Sequence, residues 1–287
     1  MSCRSCRRPR AGGTVVGHTG PVLTASELAA QVAALGVHRG DLIMVHASLR
    51  RLGPVESGAR GVVEALDEAV GPDGTLLMIL GAENPHEWVN THPEPERARL
   101  LADALPFDTS TTAALKDVGV LAEVMRTMPG TLVNDHPEGR FVSRGRLAHE
   151  LLDGLPWNDY YGPGSALDRF TRAGGRVLRL GADPDTLSVL HYAEYCADVP
   201  GTLRVRRHRK VHGPSGPEVV VVECLDDEDG IVPAERQPSE DYFAIILREF
   251  LATGAAIVGT VGAARAELID AAGIVEFGAR WMSANLR

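Results

Sequence analysis

Between residues 42 and 80 the chain reads strand, helix, strand, and that order leaves few topologies open. Leu42 to Val45 is an unbroken apolar run of strand length, ending at His46-Ala47-Ser48. From Ala59 to Val70 the residues Val62, Val63, Leu66 and Val70 fall on one helical stripe, closed by Gly71-Pro72-Asp73-Gly74. Thr75 to Leu80 is the next apolar strand. Two strands joined by a helix make a βαβ unit, which implies a parallel pair and a right-handed crossover.

The flanking sequence extends this pattern. Thr24-Ala25-Ser26-Glu27 has the form of a capping box, and Leu28, Val32 and Leu35 follow at helical spacing up to Gly36. Arg176 to Gly181 reads as a strand, the stretch from about Ser188 to Ala197 as a helix, and Val219 to Cys224 as a strand after a basic, hairpin-like region. Helices are expected near Tyr242 to Thr253 and Ala263 to Ala272. The middle third, Gly81 to about Arg172, is rich in proline and glycine, with one clear helix near Val118 to Met128. Long loops inside a compact domain usually carry function. With no repeat and no low-complexity linker, the expectation is a flexible tail over residues 1–22 and a single α/β domain over 23–287.

Bulk properties exclude several classes. The 287 residues are 44% hydrophobic, enough for a large core, and no apolar run approaches the roughly 18 to 20 residues of a membrane span. The N-terminus MSCRSCRRPRAGG lacks the apolar segment of a secretory signal, so the expected compartment is the cytoplasm. Four cysteines (Cys3, Cys6, Cys196, Cys224) are too few and too scattered for a disulfide framework. Cys3-x-x-Cys6 has no second ligand pair to complete a zinc site, so no metal is expected. A net charge of −9 disfavours nucleic acid and favours a cationic partner.

The segment richest in chemistry is Gly181-Ala-Asp-Pro-Asp-Thr-Leu-Ser188-Val-Leu-His191-Tyr-Ala-Glu194: a strand end, a polar turn, then a helix. Such turns bring side chains and free amide N–H groups together. Ser188, His191 and Glu194 step by three residues, which sets a hydroxyl on one side of the imidazole and a carboxylate on the other. A helix N-terminus favours the neutral imidazole, and a carboxylate fixes its tautomer. His191 can then act as a general base, with Ser188 as a donor to a developing oxyanion. On the helix alone, a buried hydrogen-bonded histidine with no chemistry is an equal alternative.

Ser48, Leu49 and Arg50 follow the first strand and so fall at the carboxyl edge of the sheet, where open α/β sheets bind ligands and where arginine suits phosphate. An ordinary βα loop with a solvated arginine pair is the competing account. His136 and Arg140 could be loop scaffolding or ligand contacts. Glu83 and Glu87 follow one strand, and Glu223 and Asp226 lie at the end of another. These carboxylates could pair the ammonium groups of an aminosugar, or sit in solvated turns.

Taken together and in order, these segments resemble the antibiotic N-acetyltransferase family that modifies aminoglycosides at the 3-amino position. The similarity runs over roughly residues 24 to 282, through His46-Ala-Ser48-Leu49, Gly71-Pro-Asp-Gly-Thr75, Phe107-Asp108 with Thr112, His136-Pro137, Tyr161-Gly-Pro-Gly-Ser165, Leu180-Gly181 and Leu190-His-Tyr-Ala-Glu194. The resemblance implies an α/β fold with a mixed sheet and flanking helices in two closely joined lobes, distinct from the GNAT acetyltransferases. It implies an enzyme that takes acetyl-CoA as co-substrate and acetylates an aminoglycoside directly, with no acyl-enzyme and no metal, and it leaves homodimer formation open. His191 becomes the expected base, with Glu194 as the local carboxylate partner and Glu223 as the distant one. Ser48, Leu49, Arg50, Thr112 and Ser188 are expected near CoA, and Glu83, Glu87, Glu223 and Asp226 near the antibiotic. Ser188 stands where threonine is usual, and Ala113 where proline commonly follows Thr112. Two other readings stay open: an enzyme of this fold acting on another amine, and a non-catalytic binder of a cationic aminosugar.

Overall fold

The computed structural model describes residues 21–287. Cys3 and Cys6 lie outside them. In chain order the elements are α1 (Ala25–Leu35), β1 (Leu42–Ala47), α2 (Leu49–Leu52), α3 (Ala59–Val70), β2 (Thr75–Ile79), α4 (Glu94–Leu100) and α5 (Val120–Arg126). Then follow β3 (Thr131–Val133), β4 (Phe141–Gly145), α6 (Ala148–Leu152), α7 (Ala166–Arg172), β5 (Arg176–Leu180), α8 (Leu190–Cys196) and the hairpin β6 (Arg204–Gly213) and β7 (Gly216–Leu225). α9 (Tyr242–Ala252), β8 (Ile257–Val261), β9 (Ala264–Asp270) and α10 (Ala271–Asn285) complete the chain.

Seven strands form one mixed sheet in the order β3-β4-β2-β1-β5-β9-β8, and β6 pairs with β7 separately. At its centre β2, β1 and β5 run parallel, as the βαβ reading requires. The outer partners β4, β3, β9 and β8 are antiparallel.

Alternation along the strands divides the core between the two faces. Leu42, Met44, Leu77 and Val177 pack on one face with α6 to α10. Ile43, Val45, Leu76, Met78, Leu178 and Leu180 pack on the other with α1, α3 and α5. The capping box forms as expected, with Thr24 Oγ1 accepting from Glu27 N at 3.1 Å and Glu27 Oε2 accepting from Thr24 N at 2.8 Å.

The β6–β7 hairpin carries the second, smaller lobe. Val219 packs against a separate apolar cluster of Val89, Leu101 and Ala104. Backbone and side-chain bonds fasten it: Phe107 N donates to Lys210 O at 2.7 Å, and His208 N to Asn90 Oδ1 at 2.8 Å.

Two sequence expectations need correction. Ala264 to Asp270 is the strand β9, with the helix starting at Ala271. Its residues alternate, Ala266 and Leu268 toward one face and Glu267 and Ile269 toward the other, a strand period that the helix directly following obscures in the sequence. The middle third is also more ordered than its proline and glycine content suggests, because β3 and β4 extend the sheet past β2. No helix among the described residues is long and apolar enough to cross a membrane.

Candidate active site

The carboxyl ends of the three parallel strands meet at one edge. Ser48 N donates to Leu180 O at 2.9 Å, tying the end of β1 to the end of β5. Leu115 N donates to Leu80 O at 2.9 Å and ties the Thr112 segment to the end of β2. Gly181 turns the chain here with φ 63°, and a Cβ at that position would sit 2.9 Å from Arg51 Cβ. Only glycine lets the two segments approach so closely.

Buried Arg140 organises the same edge. Its guanidinium donates to Thr109 O (2.7 Å), Ala113 O (3.2 Å) and Gly81 O (3.4 Å), and burial lowers its pKa to about 10. Arg140 is therefore scaffolding that holds the Thr112 loop. His136 is scaffolding too: Nδ1 accepts from Gly139 N (2.7 Å) and Glu138 N (3.1 Å), leaving Nε2–H to donate to Trp157 O (2.8 Å).

On the α8–α9 face, register places His46 beside Arg179 and Arg179 beside Glu267. Arg179 donates to Glu267 Oε2 at 3.0 Å. Burial, reinforced by the Arg179 charge, pushes the His46 pKa down to about 3, and its buried Nε2 has no hydrogen-bond partner. A cleft of about 1070 Å³ opens beside this row, walled by Ala244, Leu247, Leu251 and Ala264 and rimmed by Arg50, Arg51, Arg248 and Arg265.

His191 lies in the first turn of α8, 2% exposed, its N–H donating to Ser188 O at 3.0 Å. α8 begins at Leu190, so Ser188 sits in the tight turn before the helix and not on it, though the three-residue step survives. The Glu194 carboxylate reaches back one turn, with Oε2 2.9 Å from His191 Nδ1. With Nδ1–H given to Glu194, the imidazole lone pair is on Nε2. Tyr161 stacks on the ring at 4.9 Å and 16°, and Phe243 meets its edge at 4.9 Å. Tyr242, at the start of α9, donates its hydroxyl to Glu194 Oε1.

Next to this pair is a buried charge network. Asp227 accepts from Tyr160 OH (2.8 Å) and from Arg207 (2.8 Å). Burial alone would raise the Asp227 carboxyl, yet the Arg207 guanidinium and the His191 ring together hold it below the usual carboxylate range. Glu138 faces Arg209 at 3.2 Å, and burial raises its pKa. Burial also pushes Glu228 up to about 8, against the pull of Arg207.

The candidate acidic residues separate accordingly. Glu87 joins the network, 3.7 Å from Arg209. Glu83 Oε1 accepts from Lys116 N at 3.2 Å and supports the loop. Glu223 is not a partner of His191: it bridges Arg204 (2.9 Å) and Arg206 (3.7 Å) on the hairpin, because register sets Arg206 opposite it. Asp226 caps a turn, its Oδ1 accepting from Glu228 N and Asp229 N, and it is buried. Asp227, Glu138, Glu228 and Arg207 escaped the sequence reading. Arg207 stands in a basic run and Asp227 and Glu228 in an acidic one, both of which read as solvated surface, and Glu138 lies in the loop between β3 and β4. Among the described residues no group of three or more His, Cys, Asp or Glu side chains is placed to hold a metal ion.

Known proteins resemble this chain over most of its length. Residues 44–283 match the family model described as aminoglycoside 3-N-acetyltransferase. The aminoglycoside N(3)-acetyltransferase VIII of Streptomyces fradiae is 37% identical over 93% of this chain and 94% of its own. A solved structure of AAC-IIIb in binary complex with CoASH superposes with a TM-score of 0.86 at 39% identity, covering 93% of this chain and 98% of that one. The structure of AAC-VIa bound to sisomicin gives 0.85 at 34% identity over 92% and 98%.

Proposed function

Since the chain belongs to the aminoglycoside 3-N-acetyltransferase family, we propose that it transfers acetyl from acetyl-CoA directly to the 3-amino group of a 2-deoxystreptamine aminoglycoside, with His191 as general base. The observation that carries this reading is the buried Glu194–His191 pair, which leaves the imidazole able to take a proton at Nε2. The amine nitrogen attacks the thioester carbonyl carbon, the C–S bond breaks, and the amine proton passes to His191 Nε2 and on to the CoA thiolate. No acyl-enzyme is needed, because the base serves the incoming amine itself.

The residues at the sheet edge suit CoA. The cleft has an apolar wall that suits a pantetheine chain, and among its four rim arginines Arg51, Arg248 and Arg265 pair with Asp183, Glu240 and Glu267, which leaves Arg50 as the arginine proposed for the CoA phosphates. Arg50 lines that cleft. Ser48, Leu49 and Thr112 belong to the segments tied to the ends of β1 and β2, and Ser188 to the turn that leads to His191. Ser48, Leu49, Arg50, Thr112 and Ser188 remain the assigned CoA contacts.

Glu87, Glu138, Asp227 and Glu228 form the acidic wall for the antibiotic's ammonium groups. Carboxyls raised by burial, as Glu138 and Glu228 are, ionise when a cation arrives beside them. Resistance to aminoglycosides and a cytoplasmic location follow from this reading as expectations.

The test is CoA thiol release by the purified protein given acetyl-CoA and a panel of gentamicin, neomycin, an aminoglycoside lacking a free 3-amino group, and spermine. Release with the first two alone supports both reaction and position. Release with spermine, or with the third compound, overturns the assigned position, and silence throughout overturns the aminoglycoside reading.

A further inference from the structure

We propose that Tyr242 is a positioning residue for the base, acting through Glu194. The inference rests on His191 being that base. Asp241 caps α9 by accepting from Phe243 N and Ala244 N, which fixes the helix start and brings two consecutive aromatic side chains to α8. Tyr242 donates to Glu194 Oε1, and Phe243 places its ring against the imidazole edge. All four residues, His191, Glu194, Tyr242 and Phe243, are 2% exposed or less.

The two oxygens of one carboxylate are thus divided between two helices. Oε2 faces His191 Nδ1, and Oε1 takes the phenol. A carboxylate held by one oxygen can swing about its terminal torsion, which is broad and shallow. A second charge-assisted hydrogen bond from another helix removes that freedom. It also shares the carboxylate's negative charge, which limits how firmly Glu194 holds a proton on the imidazole. Of the other neighbours, Tyr161 stacks on the imidazole face, and Asp227 is held by Arg207 and Tyr160.

Tyr242→Phe keeps the ring that packs on Phe243 and removes only the hydroxyl. The expected result is a fall in kcat of about tenfold with both KM values within about twofold of the original, since positioning acts on the transition state. The acid limb of the kcat/KM profile moves to higher pH, because a carboxylate with one donor fewer holds the imidazolium more tightly. In a Glu194→Gln background the same change has no further effect on turnover, whereas a merely structural contribution would add. Titration of the His191 imidazole by ¹⁵N NMR, with no substrate present, should show the same upward shift. Unchanged turnover and an unchanged titration in Tyr242→Phe, or additive losses in the double variant, would overturn the proposal. A wild-type protein inert toward the whole amine panel would instead overturn the assigned reaction, and the NMR titration would still decide the role of Tyr242.

Discussion

Glu194 and His191 form a closed pair within a single turn of α8, carboxylate to Nδ1 at 2.9 Å, with almost no contact with solvent. A buried pair of this kind sets the ring's tautomer before any substrate arrives, and it does so with two residues three apart in sequence. His191→Ala should therefore abolish acetyl transfer, with a loss of about 10²-fold or more, while both substrates still bind. Isothermal titration of acetyl-CoA and of gentamicin against the variant, beside the CoA-release assay, checks the two halves. Full activity in His191→Ala would sink the mechanism.

Carboxylates on two elements were candidates for the partner of the base, and the structure separates them. Glu194→Gln keeps the shape but replaces a charged acceptor of Nδ1–H, so kcat should drop by about 10 to 100-fold with a displaced pH profile. Glu223 spends its carboxylate on Arg204 and Arg206 at the half-exposed surface of the hairpin, so Glu223→Gln should leave turnover within about twofold. Steady-state kinetics of the two variants across pH 6 to 9 distinguishes them.

That separation also marks how far the sequence could be read. The βαβ core was legible because the alternating and helical patterns there each have a single period, and the His191–Glu194 contact was legible because helical geometry is local, whereas Ser188 falls in the turn before α8. Tyr242 was not, since 48 positions separate it from Glu194 and only the docking of α9 on α8 joins them. Asp227 was misleading for a different reason. A run of four acidic residues reads as solvated, yet here Asp226 turns the backbone and Asp227 is buried beside a hairpin of two ten-residue strands that supplies its own arginine. The β9 strand failed on period: short apolar alternation next to a true helix blurs into it.

At the sheet edge, Arg50 and Arg51 are neighbours with different commitments. Arg51 donates to Gly181 O and pairs with Asp183 at 2.5 Å, joining the β1 and β5 turns. Arg50 has its exposed side chain on the rim of the large cleft. Arg50→Ala should raise the KM for acetyl-CoA by about five to tenfold, roughly one charge-assisted contact, with little change in kcat, and the effect should shrink as salt screens it. Measuring KM at low and high ionic strength tests this. An unchanged KM would place the CoA phosphates elsewhere.

Asp227→Asn removes the charge that neutralises Arg207 in the interior. Arg207 and Asp227 are both buried and 2.8 Å apart, so the variant leaves an uncompensated guanidinium, with Glu228 at 3.4 Å as a partial substitute. Breaking a buried pair from one side costs about 3 kcal/mol. In a chain of this size that corresponds to a fall in Tm of roughly 6 to 12 °C, measurable by calorimetry. A shift of only a degree or two would show that Glu228 takes over the pairing.

Acid should loosen the fold through His136. Its Nδ1 already accepts two backbone N–H groups, so a proton there would face Gly139 N–H, and burial, helped by the Arg209 charge, pushes the pKa down to about 4 against the opposing Trp157 carbonyl. In the unfolded chain the same imidazole titrates near 6.5. Above pH 6.5 it is neutral in both states and contributes no pH dependence. As pH falls from 6.5 toward 4 the unfolded state takes up the proton first, so stability declines, by about 3 kcal/mol at pH 4. Urea unfolding of the wild type and of His136→Gln at pH 7, 5.5 and 4.5 isolates this contribution. The variant should be less stable at pH 7, having lost the two accepted hydrogen bonds, but its stability should fall less steeply with acid. Parallel slopes in the two proteins would assign the acid sensitivity to another buried group, with His46 the next in line because its pKa is also held far below the ordinary value.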